Sequence, residues 1–192
     1  MKALEDKILA EGQVYPGNIL KVSSFLNHQL DVDFLMLMGE EISRLYVDTK
    51  VDKILTIEAS GIAIAVAAAA HMHVPVVFAK KNKTTNILAD VYSSQVTSYT
   101  HNNTYQVVVS KEHLKKGENI LIIDDFLAIG NAINGLMDIV SQAGGVTQGV
   151  AVAIEKGFQG GGDKLRSQGL RVDSLAIVDS MTDDSVKFRP QN

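Results

Sequence analysis

The chain has 192 residues, 46% of them hydrophobic, a net charge of −4 and no cysteine. That is enough for one well-packed domain spanning 1–192, and it excludes disulfides, thiolate nucleophiles and cysteine-held metals. The acidic balance argues against non-specific nucleic-acid binding, the apolar run at 62–70 is far short of the ~20 residues a membrane span needs, and no secretory signal opens the chain, so a cytoplasmic protein is expected.

The first predicted element is a short helix carrying Leu4 and Ile8 on one face and ending near Gly12. A mixed apolar and polar stretch follows at 19–31. A second helix is marked by Phe34, Leu37, Met38, Ile42 and Leu45. A strand is predicted over 53–57, a small-residue helix suited to close packing over 61–71, and a β-branched strand over 74–79. Lys80, Lys81 and Lys83 stand just beyond that strand. They suit either a pyrophosphate or a solvated loop. From 82 to 110 the pattern is poor in core residues, which suggests a long excursion with a hairpin near His101, Asn102 and Asn103.

A second strand and helix unit repeats the plan. The strand covers 120–123, and a helix follows over 131–143 with Ile133, Leu136, Met137 and Val140 on one face. Gly144 and Gly145 stop it, and a last strand covers 149–154. Alternating strands and helices imply an α/β fold with a mainly parallel sheet, whose ligands bind beyond the carboxyl ends of the strands. Four segments meet at that edge: Glu58 to Gly61, Lys80 with Lys81, Asp124 to Ala132, and Glu155 to Gln159.

The third of these is the most informative. Two adjacent carboxylates, Asp124 and Asp125, precede a short loop with a central glycine and a helix start. Backbone N–H groups opening a helix bind phosphate through unpaired donors and the dipole. The carboxylates repel a phosphate and accept hydrogen bonds instead, as from a sugar diol. A 5-phosphoribosyl group offers both partners. The bland alternative is a buried strand whose terminal acids merely solvate the next loop.

The run Asp124-Asp125-Phe126-Leu127-Ala128-Ile129-Gly130-Asn131-Ala132 resembles the ribose-phosphate motif of type I phosphoribosyltransferases. Those enzymes move a ribose 5-phosphate from phosphoribosyl pyrophosphate (PRPP) to a nitrogenous base. The usual Thr-Gly-x-Thr loop is Ile129-Gly130-Asn131-Ala132 here, so both hydroxyls are missing. The resemblance implies the type I phosphoribosyltransferase fold, with a small N-terminal base-binding hood at about 1–35 and a flexible loop over the pyrophosphate. It assigns Asp124 and Asp125 to catalysis. PRPP binding falls to Ala128, Ile129, Gly130, Asn131 and Ala132, and to Ala59, Ser60, Gly61, Lys80 and Lys81. It also implies Mg2+ carried on the PRPP pyrophosphate, with no other metal, and a homodimer.

Along nearly its whole length the chain is similar to bacterial xanthine phosphoribosyltransferases, from Leu20-Lys21-Val22 and Phe25-Leu26-Asn27-His28-Gln29 to Ile154-Glu155-Lys156 and Phe158-Gln159. The resemblance places base contacts at Leu20, Asn27 and Lys156. Lys156 donates and never accepts, so it suits the oxygen of a 6-oxopurine better than the amino group of adenine. Phe158 is expected to stack on the purine. Ala128 stands where hypoxanthine-guanine enzymes usually carry an aspartate. Adenine, or hypoxanthine and guanine, remain alternative substrates, and a PRPP-sensing regulator is the non-enzyme alternative. A zinc site among His28, His71 and His73 is disfavoured, because His71 and His73 are separated by one residue at a predicted helix end and no acidic residue is near them in the sequence.

Overall fold

The computed structural model describes residues 1–82, 90–97, 104–182 and 185–191. Helix α1 (Lys2–Glu11) leads into a hairpin of β1 (Gln13–Tyr15) and β2 (Ile19–Lys21), an irregular loop and helix α2 (Val32–Leu45). The main body runs β3 (Lys53–Ile57), α3 (Gly61–Met72), β4 (Val76–Asn82), β5 (Val91–Thr97), β6 (Thr104–Ser110), β7 (Asn119–Leu127) and α4 (Asn131–Gln142). It closes with β8 (Val146–Lys156), α5 (Gly161–Ser167), β9 (Val172–Thr182) and β10 (Ser185–Phe188).

Among the described residues one sheet has eight strands in the order β10-β9-β8-β7-β3-β4-β6-β5, while β1 and β2 pair separately. The run from β9 to β4 is parallel throughout. The antiparallel pair β5 and β6 extends it beyond β4, and β10 adds antiparallel to β9. Parallel strands covered on both faces read as continuous apolar runs, and alternation along β7 shows why. Leu121 and Ile123 enter a layer with α1, α2 and α3, whereas Ile120 and Ile122 enter a second layer with α4 and the β5–β6 pair.

The N-terminal segment is tied down by side chains. Lys7 of α1 pairs with Asp31 at 2.8 Å and Glu11 at 3.0 Å. Its ammonium also lies 5.4 Å and 5.0 Å from the ring centroids of Phe25 and Phe34, close enough for cation–π attraction. Asp31 caps α2 by accepting from the Phe34 amide, and Ser24 donates to Glu11. The loop between β2 and α2 is therefore held at both ends, with Asn27 between them.

Several predicted boundaries moved. Strand β7 continues through both aspartates to Leu127, because β8 runs beside it as far as Glu155, opposite Leu127. Strand β8 likewise includes Glu155 and Lys156, and β4 includes Lys80 and Lys81. The chemistry therefore starts inside strand ends rather than after them. On α2 it is Leu35 that is buried while Leu37 is half exposed, and on α4 Ile139 is buried with Met137 only partly so. The strand over 149–154 is not the last, since β9 and β10 follow it. The excursion contains the antiparallel pair β5 and β6. Lys83 and the hairpin tip at 101–103 lie outside the described residues.

The small residues of α3 allow α2 to approach very closely. A Cβ added to Gly39 would overlap the Ala67 carbonyl and lie 2.7 Å from the Ala68 nitrogen. Gly39→Ala is expected to destabilise the fold by about 1–3 kcal/mol, the usual range for overpacking. A urea denaturation midpoint equal to that of the unaltered chain would contradict this packing.

Candidate functional site

At the carboxyl edge of the sheet, Asp124 and Asp125 are both buried near the end of β7. The Asp125 amide donates to Asp124 Oδ1 at 2.9 Å, and as neighbours on one strand the two side chains point to opposite faces of the sheet. Asp125 reaches Asn27, whose Nδ2 donates to its Oδ2 at 3.5 Å. Asp124 stands beside the start of α3. A Cβ on Gly61 would overlap Thr56 Oγ1 and lie 2.9 Å from Asp124 Oδ1, so glycine is what leaves room for both. The Thr56 hydroxyl is fully buried and has no hydrogen-bond partner among the described residues.

Two cavities flank the carboxylates. One, open and about 510 Å³, is lined by Lys21, Ser23, Asn27, His28, Ala59 and Ser60. It lies between the N-terminal segment and the first turn of α3, whose leading N–H groups have no intrahelical acceptor. The other, about 150 Å³, is formed by the loop 126–133 together with Val96, Thr97 and Tyr105. Gly130, at φ +91°, turns the chain into α4. The first turn of α4 opens into this cavity, the arrangement that favours a phosphate.

The phosphoribosyl transferase domain family matches residues 23–179, which take in both carboxylates, the whole lining of the smaller cavity and all of the larger one's but Lys21. The chain belongs to that family. A Clostridium perfringens xanthine phosphoribosyltransferase 1 is 54% identical over 190 residues, covering 98% of this chain and all of that protein. The Clostridioides difficile xanthine phosphoribosyltransferase is 53% identical, again over 98% of this chain and all of its own length. Among solved structures, adenine phosphoribosyltransferase from Rhodothermus marinus superposes with TM-score 0.75 at 18% identity, covering 93% of this chain and all of that one. The Giardia lamblia enzyme in complex with 9-deazaadenine gives TM-score 0.75 at 20% identity, covering 93% and 98%. At such identities the likeness establishes the phosphoribosyltransferase fold alone.

Within this phosphoribosyltransferase, Ala128, Ile129, Gly130, Asn131 and Ala132 all line the smaller cavity, and Ala59 and Ser60 the larger. Lys81 is brought in as well. Its ammonium lies 5.4 Å from the Tyr105 ring, its amide donates to Glu58, and its charge acts on Asp124. Lys80 alternates to the opposite face of β4, the face of half-exposed Phe78. Leu20 is buried in β2. Lys156 Nζ donates to the Asn18 carbonyl at 2.9 Å, beneath the turn that joins β1 to β2, and burial pulls its pKa below the ordinary lysine range. The ring beside that ammonium is Phe126, centroid 5.7 Å away. Phe158, like Phe126, is partly buried and packs against the core layer of α1 to α3.

Sequence reasoning did not single out Phe126, Tyr105, Thr56 or Ser23, and it weighed His28 only as a metal ligand. Phe126 lay inside the motif and was legible from it. Tyr105 and Thr56 become site residues only through strand pairing. Burial raises the Tyr105 phenol, with the Asp124 charge adding to it.

Burial, and then the charge of Asp125, raises the pKa of Asp124 well above the carboxylate range. The folded chain therefore binds a proton at Asp124 more tightly than the unfolded chain. Between the two pKa values stability falls as pH rises, and above the folded value the full penalty remains. Asp124→Asn, which mimics the protonated form, is expected to melt at a higher temperature than the unaltered chain, by a margin that widens as pH rises through and above the carboxylate range. Parallel melting curves at every pH from 4 to 8 would refute this.

Proposed function

We propose that the chain transfers the 5-phosphoribosyl group of PRPP to xanthine, releasing pyrophosphate and forming the nucleotide XMP in purine salvage. The observation that carries the reading is the buried Asp124–Asp125 pair beside a phosphate-sized cavity and a larger open cleft walled on one side by the N-terminal segment. The 5-phosphate sits in the loop 128–132, held by backbone N–H groups of the first turn of α4. Asp124 and Asp125 accept hydrogen bonds from the ribose hydroxyls. A diol donor also relieves Asp124 of its penalty, since hydrogen bonds to the charged form favour it.

The pyrophosphate lies over Ala59, Ser60 and Gly61, with Lys81 contributing charge and Lys80 reaching it only from the other face of the strand. Mg2+ prefers oxygen ligands and commonly binds through phosphates and waters with one or two carboxylates, and the Asp124–Asp125 pair fits that donor set. When bound it supplies positive charge to the leaving pyrophosphate. The two carboxylates, positioned before reaction, favour the oxocarbenium-like sugar formed as the bond to pyrophosphate breaks. The purine nitrogen attacks from the opposite side, and holding the partners in line supplies much of the acceleration.

Leu20, Asn27 and Lys156 read the base in the hood at about 1–35, with Phe126 or Phe158 against its plane. Asn27 both donates and accepts, as a dioxopurine edge requires. Relatives named for xanthine at 50–54% identity over 98% of the chain favour this base over adenine. A homodimer is part of the reading, and half-exposed Leu37 on α2 and Val66 on α3 offer apolar surface for it. A cytoplasmic location follows from the substrate, because a multiply charged phosphate ester stays in the compartment that makes it.

Supplied with PRPP, magnesium and one base at a time, the protein is expected to turn over xanthine in preference to hypoxanthine, guanine and adenine. A preference for adenine would discard the base assignment and keep the chemistry. No product from any of these bases, despite tight PRPP binding, would favour a sensor. Lys156→Ala should lower kcat/KM for xanthine roughly ten- to a hundredfold, the worth of a hydrogen bond to a charged group at about 1.5–3 kcal/mol. Asp125→Asn should lower kcat by about 10²–10³, and wild-type turnover in that variant would end its catalytic role.

A further inference from the structure

The phosphate cavity has a back wall as well as a lining. Helix α5 touches the loop 128–132 from behind, and among the described residues none of its side chains lines the cavity. A Cβ on Gly161 would overlap the Ala128 carbonyl oxygen and lie 2.6 Å from the Ile129 carbonyl carbon and 2.8 Å from its Cα. Leu165, one turn on, is buried with Leu127 and Ile133, the residues that flank the loop. The helix and the loop are thus in backbone contact.

What holds α5 there is a buried ion pair. Glu155 lies opposite Leu127 in the β7–β8 register and is fully buried. Arg166 of α5 meets it in a bidentate pair at 3.0 Å and 2.6 Å, the Ser174 hydroxyl also donates to it, and Arg166 Nε donates to the Val172 carbonyl at 3.1 Å. Such a fork fixes orientation as well as distance. A Cβ on Gly162 would overlap the Glu155 carboxylate, so the helix can seat on this pair only with glycine there. A second arginine, Arg189, joins Asp163 of α5 to Asp179 of β9, each at 2.8 Å.

Resting on the phosphoribosyl reading, we infer that Gly161, clamped by the Glu155–Arg166 pair, is a positioning residue for the 5-phosphate loop. The loop itself makes this necessary. Ile129 and Ala132 bring no hydroxyl, so the phosphate depends on backbone N–H groups whose aim is set by the path of the loop. A loop that binds through its backbone needs its backbone held, and α5 is the element that holds it.

The test measures binding of ribose 5-phosphate and of inorganic pyrophosphate separately, by calorimetry on the full chain, alongside steady-state kinetics. Gly161→Ala is expected to weaken ribose 5-phosphate at least tenfold, raise KM for PRPP in step, and leave pyrophosphate affinity, KM for xanthine and kcat within about twofold. Arg166→Lys, which keeps the charge and loses the fork, should shift the same quantities in the same direction by less, and it carries the test if Gly161→Ala does not fold. Lys164→Ala, on the exposed side of the helix, should change none of them. Unchanged ribose 5-phosphate affinity in a folded Gly161→Ala protein would overturn the inference, as would an equal loss for pyrophosphate, which marks general loosening. An unaltered chain that binds neither ligand would strike down the phosphoribosyl reading itself, with the positioning role falling alongside it.

Discussion

Two neighbouring carboxylates buried at the end of the central strand impose the constraint around which the rest is arranged. Asp124 and Asp125 sit on β7, flanked by β3 and β8, where the sheet is best covered and solvent is least available. Burying one carboxylate costs free energy, and an adjacent like charge adds to the cost. The surrounding groups lessen it without cancelling it. Lys81 contributes through space, Asn27 makes one long hydrogen bond, and the Thr56 hydroxyl next to Asp124 has no partner among the described residues. The unmet hydrogen-bonding capacity is what a sugar diol can fill.

A second buried carboxylate in the same molecule shows the contrast. Glu155 is as deeply enclosed, yet Arg166 and Ser174 supply it with three donors from within the fold. It serves to fix a helix. One strand apart, the same functional group is thus used in two ways. Where its partners are inside the fold it stiffens the structure, and where they are missing it awaits a substrate. Breaking a satisfied pair of this kind strands a charge in the interior, whereas neutralising an unsatisfied carboxylate relieves the fold at the expense of chemistry.

Much of this was legible in the order of residues. The apolar run at 120–123, the paired acids, the glycine and the helical period after it pointed to an α/β sheet with a phosphate site at its carboxyl edge, and the loops named there do meet. Long-range pairing was not legible. The lengths of β7 and β8 depend on each other, so a single-strand reading stopped both too early and placed Lys156 in a loop. Lys80 and Lys81 read as one cluster until the pleat of β4 separated them. Phe158 reads as a stacking ring two residues after Lys156, and the folded strand end brings a second ring, Phe126, beside the ammonium. Helix α5 gave only seven residues of weak signal, and its importance rests on a close backbone approach that no periodicity reveals.

The small β1–β2 hairpin shares no hydrogen-bonded strand with the eight-stranded sheet. Its anchors are side chains, Lys156 under the turn at Asn18 and Leu20 in the core, while Lys7 between two aromatic rings and Glu11 with Ser24 hold α1 to the loop that follows the hairpin. Substitutions there can accumulate without disturbing strand register or the phosphate loop. The cover of the larger cleft and the strands that carry the carboxylates are thus separate pieces of backbone, so a change in the hairpin alters the wall of the cleft while the carboxylates keep their places.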